Sequence, residues 1–396
     1  MNLGIATICP HIYYAQRWWS YEPFVLEMNI WHDLFAQLVL AAPVEAGPPP
    51  AHWTPYAHSD TIRVVPYRQD KGRGLDQPPT APGEIPAMIG ALIKVARQTD
   101  AFHVRSPGSI GLLASLLIPL LQKKRCAKWA GQWLPYPGEA ASVRVQRQIL
   151  RSRWWGAPVT VYGQWPGQPA HIVPFFTSVL TQAQIRRAAA SRGPRPADTP
   201  LRIVYVGRLS AAKNVDVLLA ALAQLAGPAR AFECVIIGDG PQRAALEQQV
   251  MELNLAAGVT FTGGLAFAQV LDQYEQADVL VLASETEGWP KAIAEGMAFG
   301  LICIGSDRGL IPQMLGDGRG IVVPPRDVAA LVQALAPIVA APAAYQGLRD
   351  RAAAWAQAYS LDGLRDALQA LLIRSWHLAP ETFAPGARRE PGEAAR

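Results

Sequence analysis

Two cations and two carboxylates in the second half of the chain stand where they could handle a phosphorylated ligand. Arg208 and Lys213 lie in the segment Gly207-Arg208-Leu209-Ser210-Ala211-Ala212-Lys213-Asn214, directly after a β-branched run at 202–206. Gly207 lets the chain turn sharply, and the cations then stand just outside the end of a strand. A diphosphate leaving group gains negative charge as its bond to a sugar breaks. Fixed cations stabilise that charge. Read by themselves, two loop cations fit a solvated surface as well. A second turn, Gly238-Asp239-Gly240-Pro241, precedes a helical pattern at about 241–253. Its glycines would admit a ligand close to the backbone, and its proline suits a first helical turn. Many strand-to-helix turns share these features.

The third constellation runs from Ser284 to Gly300. An apolar run ends at Ala283, Glu287 and Gly288 fall in a loop, and Pro290 is expected to start a helix. Free amides at that start suit sugar hydroxyls or phosphate oxygens. Glu295 lies eight positions beyond Glu287, on a helical face with Ala292 and beside Gly296. A carboxylate there could accept both hydrogen bonds of a ribose diol, with Glu287 nearer the sugar. A capping Glu and a solvent-facing Glu are the alternative.

Such turns need a sheet to carry them. Strand patterns fall at 2–9, 37–42, 62–66, 101–105, 126–130, 159–163 and 171–174, then at 202–206, 232–237, 259–262, 278–283, 301–305 and 320–323. Val235-Ile236-Ile237 and Val279-Leu280-Val281-Leu282 are continuous apolar runs, as in strands buried on both faces of a parallel sheet. Helical patterns alternate with them, which predicts doubly wound α/β domains. Open α/β sheets bind ligands at the strands' carboxyl edge. The division expected is a first domain at 1–190, a Pro- and Arg-rich linker at 191–200, a second domain at 201–360, a helix at 361–376 that could cross back to the first domain, and a disordered tail at 377–396.

Taken together, Val206-Gly207-Arg208-Leu209, Lys213-Asn214, Ile237-Gly238-Asp239-Gly240-Pro241, Val259-Thr260-Phe261-Thr262-Gly263, Glu287-Gly288-Trp289-Pro290, Glu295 and Gly318-Arg319-Gly320-Ile321-Val322-Val323-Pro324-Pro325 resemble glycosyltransferase family 4 in order and spacing. The resemblance implies a GT-B fold, two Rossmann-like domains facing each other across a cleft. It implies a nucleotide-diphosphate-sugar donor held by the second domain and retention of anomeric configuration. Carried over, Arg208 and Lys213 would hold the diphosphate, with Gly207 beside them. Glu287 and Gly288, Trp289, Pro290 and Lys291 would position the transferred sugar, and Glu295 would bind ribose. Trp289 and Pro290 depart from the commoner Phe-Gly of the family, which leaves the sugar open. No Asp-x-Asp triplet occurs in the chain. No metal and no cofactor beyond the nucleotide sugar as co-substrate is expected.

The first half resembles the family less. Phe102-His103-Val104-Arg105-Ser106-Pro107-Gly108 is similar to a family strand and helix start. Lys128-Trp129-Ala130-Gly131-Gln132-Trp133 stands where many members carry a donor-touching His. Gln132 could stand in for that His at a cleft, or be structural, and His103 could reach a cleft but reads rather as part of the sheet edge. The family's Gly-Gly loop after the first strand is replaced by Pro10-His11-Ile12-Tyr13-Tyr14-Ala15-Gln16-Arg17-Trp18-Trp19, and nine of the 12 Trp residues precede residue 166. Aromatic faces suit sugar rings or apolar acceptor parts, and equally suit a core. The resemblance implies that the first half binds the acceptor, an unidentified hydroxyl of a glycan, a lipid-linked sugar or a small molecule.

Charge narrows the partners. Residues 1–200 hold 20 Lys and Arg against 11 Asp and Glu, and residues 201–396 hold 16 against 20. A basic first half suits phosphates or an anionic membrane face, or is simply a solvated surface. Nucleic acid is not expected. Lys123-Lys124-Arg125 follows the longest apolar run, Ile110 to Leu121, read as a buried helix too short to span a bilayer. The basic run fits peripheral membrane contact or a helix end that favours cations. Cys9, Cys126, Cys234 and Cys303 each fall in a strand pattern, far apart, and read as buried thiols of a cytoplasmic protein. The opening MNLGIATICPHIYY does not read as a signal peptide. Two other readings are a catalytically silent nucleotide-sugar-binding subunit of a glycan-assembly complex and a NAD-dependent dehydrogenase. The second lacks a convincing G-x-G-x-x-G turn.

Overall fold

A computed structural model of the chain describes residues 1–50, 52–67, 83–191, 199–225 and 232–383. The chain divides into two compact units, Met1–Val179 with Leu361–Arg396, and Leu180–Ser360.

In the first unit the elements run β1 (Asn2–Ala6), β2 (His11–Tyr14), β3 (Arg17–Tyr21), α1 (Glu22–Leu34), β4 (Gln37–Glu45), β5 (Trp53–Pro55), β6 (Ile62–Tyr67), α2 (Glu84–Arg97), β7 (Ala101–Ser106), α3 (Ser109–Leu121), β8 (Arg125–Trp129), α4 (Ala141–Arg151), β9 (Val159–Tyr162) and β10 (Ile172–Phe175). The second unit follows with α5 (Gln182–Ala190), β11 (Leu201–Val206), α6 (Val215–Leu225), β12 (Phe232–Ile237), α7 (Arg243–Glu252), β13 (Val259–Gly263), α8 (Phe267–Gln276), β14 (Val279–Leu282), α9 (Lys291–Ala298), β15 (Ile302–Ser306), α10 (Ile311–Leu315), β16 (Ile321–Val323), α11 (Val328–Ala340) and α12 (Gln346–Ala356). Helix α13 (Leu361–Trp376) belongs to the first unit.

The second sheet is ordered β13-β12-β11-β14-β15-β16, and every pairing is parallel. Counted along the chain this is 3-2-1-4-5-6, the doubly wound order whose direction reverses between its first and fourth strands. The apolar runs explain it: all four residues of β14 are buried, because helices cover both faces. The parallel strands of the first unit follow the same logic as β6-β4-β1-β7-β8-β9-β10. Its reversal lies between β1 and β7.

Each of the 13 strand patterns corresponds to a strand. Strands β2, β3 and β5 are additions that the patterns missed. They form an antiparallel extension joined to the sheet where His11 pairs with Val44. Mixed aromatic and polar residues hid them, since neither alternation nor a continuous apolar run is present. Strand β1 stops at Ala6, so Cys9 lies beyond it and is half-buried, while Cys126, Cys234 and Cys303 are buried in strands.

Domain boundaries shift. Helix α5 belongs to the second unit, not the first. Arg187 on α5 pairs with Asp272 and Glu275 of α8, each at 2.5 Å. Thr181 caps α5 reciprocally with Gln184. Within the expected linker 191–200, residues 192–198 lie outside the described residues. Helix α13 buries Leu364, Leu368, Leu371 and Leu372, an i, i+4, i+7, i+8 stripe, and Leu364, Leu368 and Leu372 join the first unit's core. Part of the expected tail is ordered. Phe383, at the end of a short 3-10 turn, is buried against Phe35 at 5.7 Å between ring centroids, and residues 384–396 lie outside the described residues. Among the described residues no single helix is long and apolar enough to cross a membrane.

Candidate functional site

The reversal of strand order in the second unit leaves a gap beyond the carboxyl ends of β11 and β14. The chain leaving β11 carries Gly207, Arg208 and Lys213; the chain leaving β14 carries Glu287 to Lys291. The topology therefore brings together the two segments singled out from the sequence.

Several bonds lock them to one another. Lys213 Nζ donates to Glu287 Oε1 at 2.5 Å. Asn214 holds a left-handed conformation with φ 50°, and its Nδ2 donates to the Ala283 carbonyl at 2.8 Å and to Glu285 Oε1 at 3.2 Å. The Glu285 amide donates to the Ala212 carbonyl at 2.8 Å, and Arg326 Nε donates to Glu285 at 2.7 Å. Asn tolerates the left-handed region and bonds locally, so it suits this bend. Lys213 and Glu287 are both partly exposed, and such a pair adds only about 0–1 kcal/mol of stability. Its consequence is positional, holding a cation beside a carboxylate at the gap. Arg208 is exposed and has no ion-pair partner among the described residues, so its charge is free for an anion.

Glycines set the shape of this edge by close packing. A Cβ on Gly238 (φ 133°) would stand 1.9 Å from the Gly207 carbonyl oxygen, and one on Gly240 would stand 2.3 Å from that of Leu209. The Gly-Asp-Gly-Pro turn thus approaches the neighbouring β11 loop. The Leu209 amide donates to the Asp239 carbonyl at 2.9 Å, which fixes the contact. Gly207 is not in the left-handed region; its missing side chain makes room for Tyr205, whose hydroxyl would lie 2.9 Å from a Cβ. Gly309 (φ 56°) was not singled out from the sequence. Its Cβ would meet the Glu287 carbonyl at 1.9 Å, so the Glu287 loop rests on it.

Glu295 is buried on α9, and Tyr274 at the end of α8 donates its hydroxyl to Oε2 at 2.8 Å. Burial raises its carboxyl pKa, opposed by the Tyr274 hydrogen bond and by Lys291. Tyr274, fully buried and unremarked in the sequence, orients this carboxylate. The solvent-facing alternative for Glu295 is excluded by its burial.

Two expectations change. Pro290 is the N-cap of α9, and Lys291 is the first helical residue, with no side-chain cap at that end. Trp289 turns to α12 and its exit: its indole stacks on Trp355 at 6.2 Å and 19°, and meets Tyr359 edge-on at 5.5 Å. Arg319 lies over Trp355 at 5.3 Å. An aromatic partner offers a large indole more contact area than an open loop does. Trp289 therefore braces the loop against α12 and its exit. Gly288 and Lys291 remain half-exposed beside Glu287.

His103 lies within β7, inside the first unit. Its ring packs on Trp31 at 4.5 Å, Nδ1 meets Cys126 Sγ at 3.4 Å, and Nε2 is buried without a partner. Burial, then the nearby Arg105 charge, pushes its pKa down to about 3, so it stays neutral. That position does not reach the strands' carboxyl edge. Gln132 follows β8; its carbonyl accepts from Trp129 Nε1 at 2.8 Å, and its side-chain oxygen is buried without a partner. A buried ionic cluster went unnoticed in the sequence: Glu27 of α1 accepts from Arg105 at 2.7 Å and Lys128 at 2.8 Å. Burial pushes the Glu27 carboxyl up, but the two cations outweigh it and hold it below the usual range.

Residues 187–355 match the family model described as glycosyl transferases group 1. An alpha-D-kanosaminyltransferase of Streptomyces kanamyceticus is 29% identical over 210 residues, 52% of this chain and 54% of that protein. The chain spans between about a third and a half of the length of the curated relatives it matches, from 37% to 54% among the first three. A glycosyltransferase of Rickettsia africae shares the fold at a TM-score of 0.68 and 14% identity, over 96% of this chain and 99% of that one. An Anabaena protein solved with UDP and glucose matches at 0.66 and 15%, over 94% and 99%. The fold class is thus GT-B, α/β with two Rossmann-like units. The family-model match lies within the second unit.

Proposed function

We propose that this chain, with its glycosyl transferases group 1 domain at 187–355, is a retaining glycosyltransferase of the family 4 type that uses a nucleotide-diphosphate-sugar and needs no metal. The observation that carries the reading is the Arg208, Lys213 and Glu287 constellation at the reversal of strand order, braced by Asn214 and Gly309. In this account Arg208 and Lys213 hold the donor diphosphate. Glu287 and the exposed backbone at Gly288 and Lys291 orient the transferred sugar. Glu295, held by Tyr274, accepts from the ribose diol. The bond from the anomeric carbon to the diphosphate oxygen breaks with its electron pair going to the diphosphate, where the two cations offset the growing charge. The acceptor hydroxyl bonds to the anomeric carbon from the same face, and its proton passes to a diphosphate oxygen. The products are a glycoside and a nucleoside diphosphate. Support comes also from the Anabaena neighbour, solved with UDP and glucose. The acceptor is a hydroxyl of a glycan, a lipid-linked sugar or a small molecule, met by the basic first half, which also contacts an anionic membrane peripherally.

The test is transfer from UDP-, GDP- and ADP-linked sugars to a glycan acceptor panel in the presence of a chelator, with the product anomer read by NMR. The expected result is an α-glycoside from an α-donor at undiminished rate, and turnover at least about 10²-fold lower in Arg208→Ala. An inverted product, or Arg208→Ala turning over like wild type, would overturn the reading.

A further inference from the structure

Helix α3 was expected to be a buried helix, and only one side of it is. Ile110, Gly111, Ala114, Ser115 and Ile118 face the core. Outward, Leu116, Leu120 and Leu121 are 43%, 70% and 44% exposed, and Trp154, just past α4, is 46% exposed. The Trp154 indole donates to the Ser115 carbonyl at 3.1 Å, so it adjoins the leucines. Helix α3 lies between α2 and α4. All three run back from the carboxyl edge of the sheet, so their last turns gather at the opposite edge. There Arg97, Lys123, Lys124, Arg151 and Arg153 stand at or just past the ends of the three helices, none with an ion-pair partner among the described residues.

Carboxylates are nearly absent. Between residues 83 and 156, Glu84 and Glu139 are buried, and Glu139 is paired with Arg147. Asp100 is exposed and accepts from the Asn2 amide at 2.7 Å. The helix dipole accounts for cations at helix ends. It does not account for a leucine 70% exposed in the last turn of the middle helix.

We infer that the ends of α2, α3 and α4 form a docking face for an anionic lipid surface. The leucines and Trp154 enter the headgroup boundary while the five cations meet lipid phosphates. A bilayer interface offers apolar and anionic layers within a few ångströms of each other, and this face presents matching layers. The inference deepens the reading of peripheral membrane contact and is independent of the transfer chemistry. The face lies at the sheet edge opposite the first unit's strand carboxyl ends, so docking leaves that edge free.

Vesicle flotation tests it, with vesicles of phosphatidylcholine alone and of phosphatidylcholine mixed with phosphatidylglycerol. The full chain is expected to float with the mixed vesicles only, and less so at high salt. Lys123→Glu and Arg153→Glu should each lower partition about fivefold or more, and Leu116→Ser with Leu120→Glu should abolish it. Thermal melting and nucleotide-sugar binding by the same samples should match wild type, which separates this face from folding and from the donor site. Flotation of wild type with all three surface variants unaffected would overturn the face while leaving membrane contact standing. No flotation of wild type would overturn both. Self-association dissolved by Leu120→Glu, without vesicle binding, would assign the face to a second copy and overturn the lipid assignment.

Discussion

Glu295 and Lys213 owe their chemistry to neighbours that a linear reading does not place. The Glu295 carboxyl sits in a buried position against Tyr274, and burial raises its pKa above 4.5. Two consequences follow by sign. The neutral form is favoured in the folded chain, so the stability Glu295 contributes is present below its unfolded pKa and is lost as pH rises through the folded value. A ribose diol, by contrast, donates best to the ionised carboxylate. Nucleotide-sugar affinity, measured by calorimetry against pH, should therefore fall as pH drops, with a midpoint above 4.5. Glu295→Gln should bind more weakly with a flat profile. A midpoint at or below the ordinary carboxylate value, or the same profile in Glu295→Gln, would contradict the assignment. Glu295 and Lys213 were legible in the sequence from type and spacing. Tyr274 was not, because it comes from α8, 21 positions away, and only the fold brings it near. Trp289 was legible as a loop aromatic but not in its direction, which Trp355 and Tyr359 decide.

At the scale of elements, the loops beyond β11, β12, β14 and β15 pack together where glycines let their backbones touch. Gly309 is the sharpest case, with positive φ and no room for a Cβ against the Glu287 carbonyl. Gly309→Ala should cost more than about 1 kcal/mol of stability. It should also shift the Glu287 loop, lowering kcat for transfer while circular dichroism stays native. Gly264→Ala is the control, since a Cβ there meets nothing within 4 Å. Equal kinetics in the two variants would remove Gly309 from the account. The strands themselves were readable, since thirteen patterns matched thirteen strands. The antiparallel extension β2-β3-β5 was not readable, because its residues neither alternate nor run apolar, and its pairing is long-range.

For the whole molecule, alternation of strand and helix announced two doubly wound units, and the strand order then marks the reversal at which the candidate site lies. The boundary was misjudged by one helix. Linker composition drew attention to 191–200, whereas the contacts of α5 with α8 place the break before Leu180. Helix α13 carries a stripe that needs a core, and the first unit supplies it. The central claim is that the carboxyl edge between β11 and β14 receives a nucleotide-diphosphate-sugar. Amide hydrogen exchange of the full chain with UDP-, GDP- and ADP-linked glucose tests it most directly. The account predicts that at least one of the three slows exchange across 207–214 and 284–295 together, and that Arg208→Ala weakens the effect. Slowed exchange confined to other segments, or none with any of the three at saturating concentration, would contradict it.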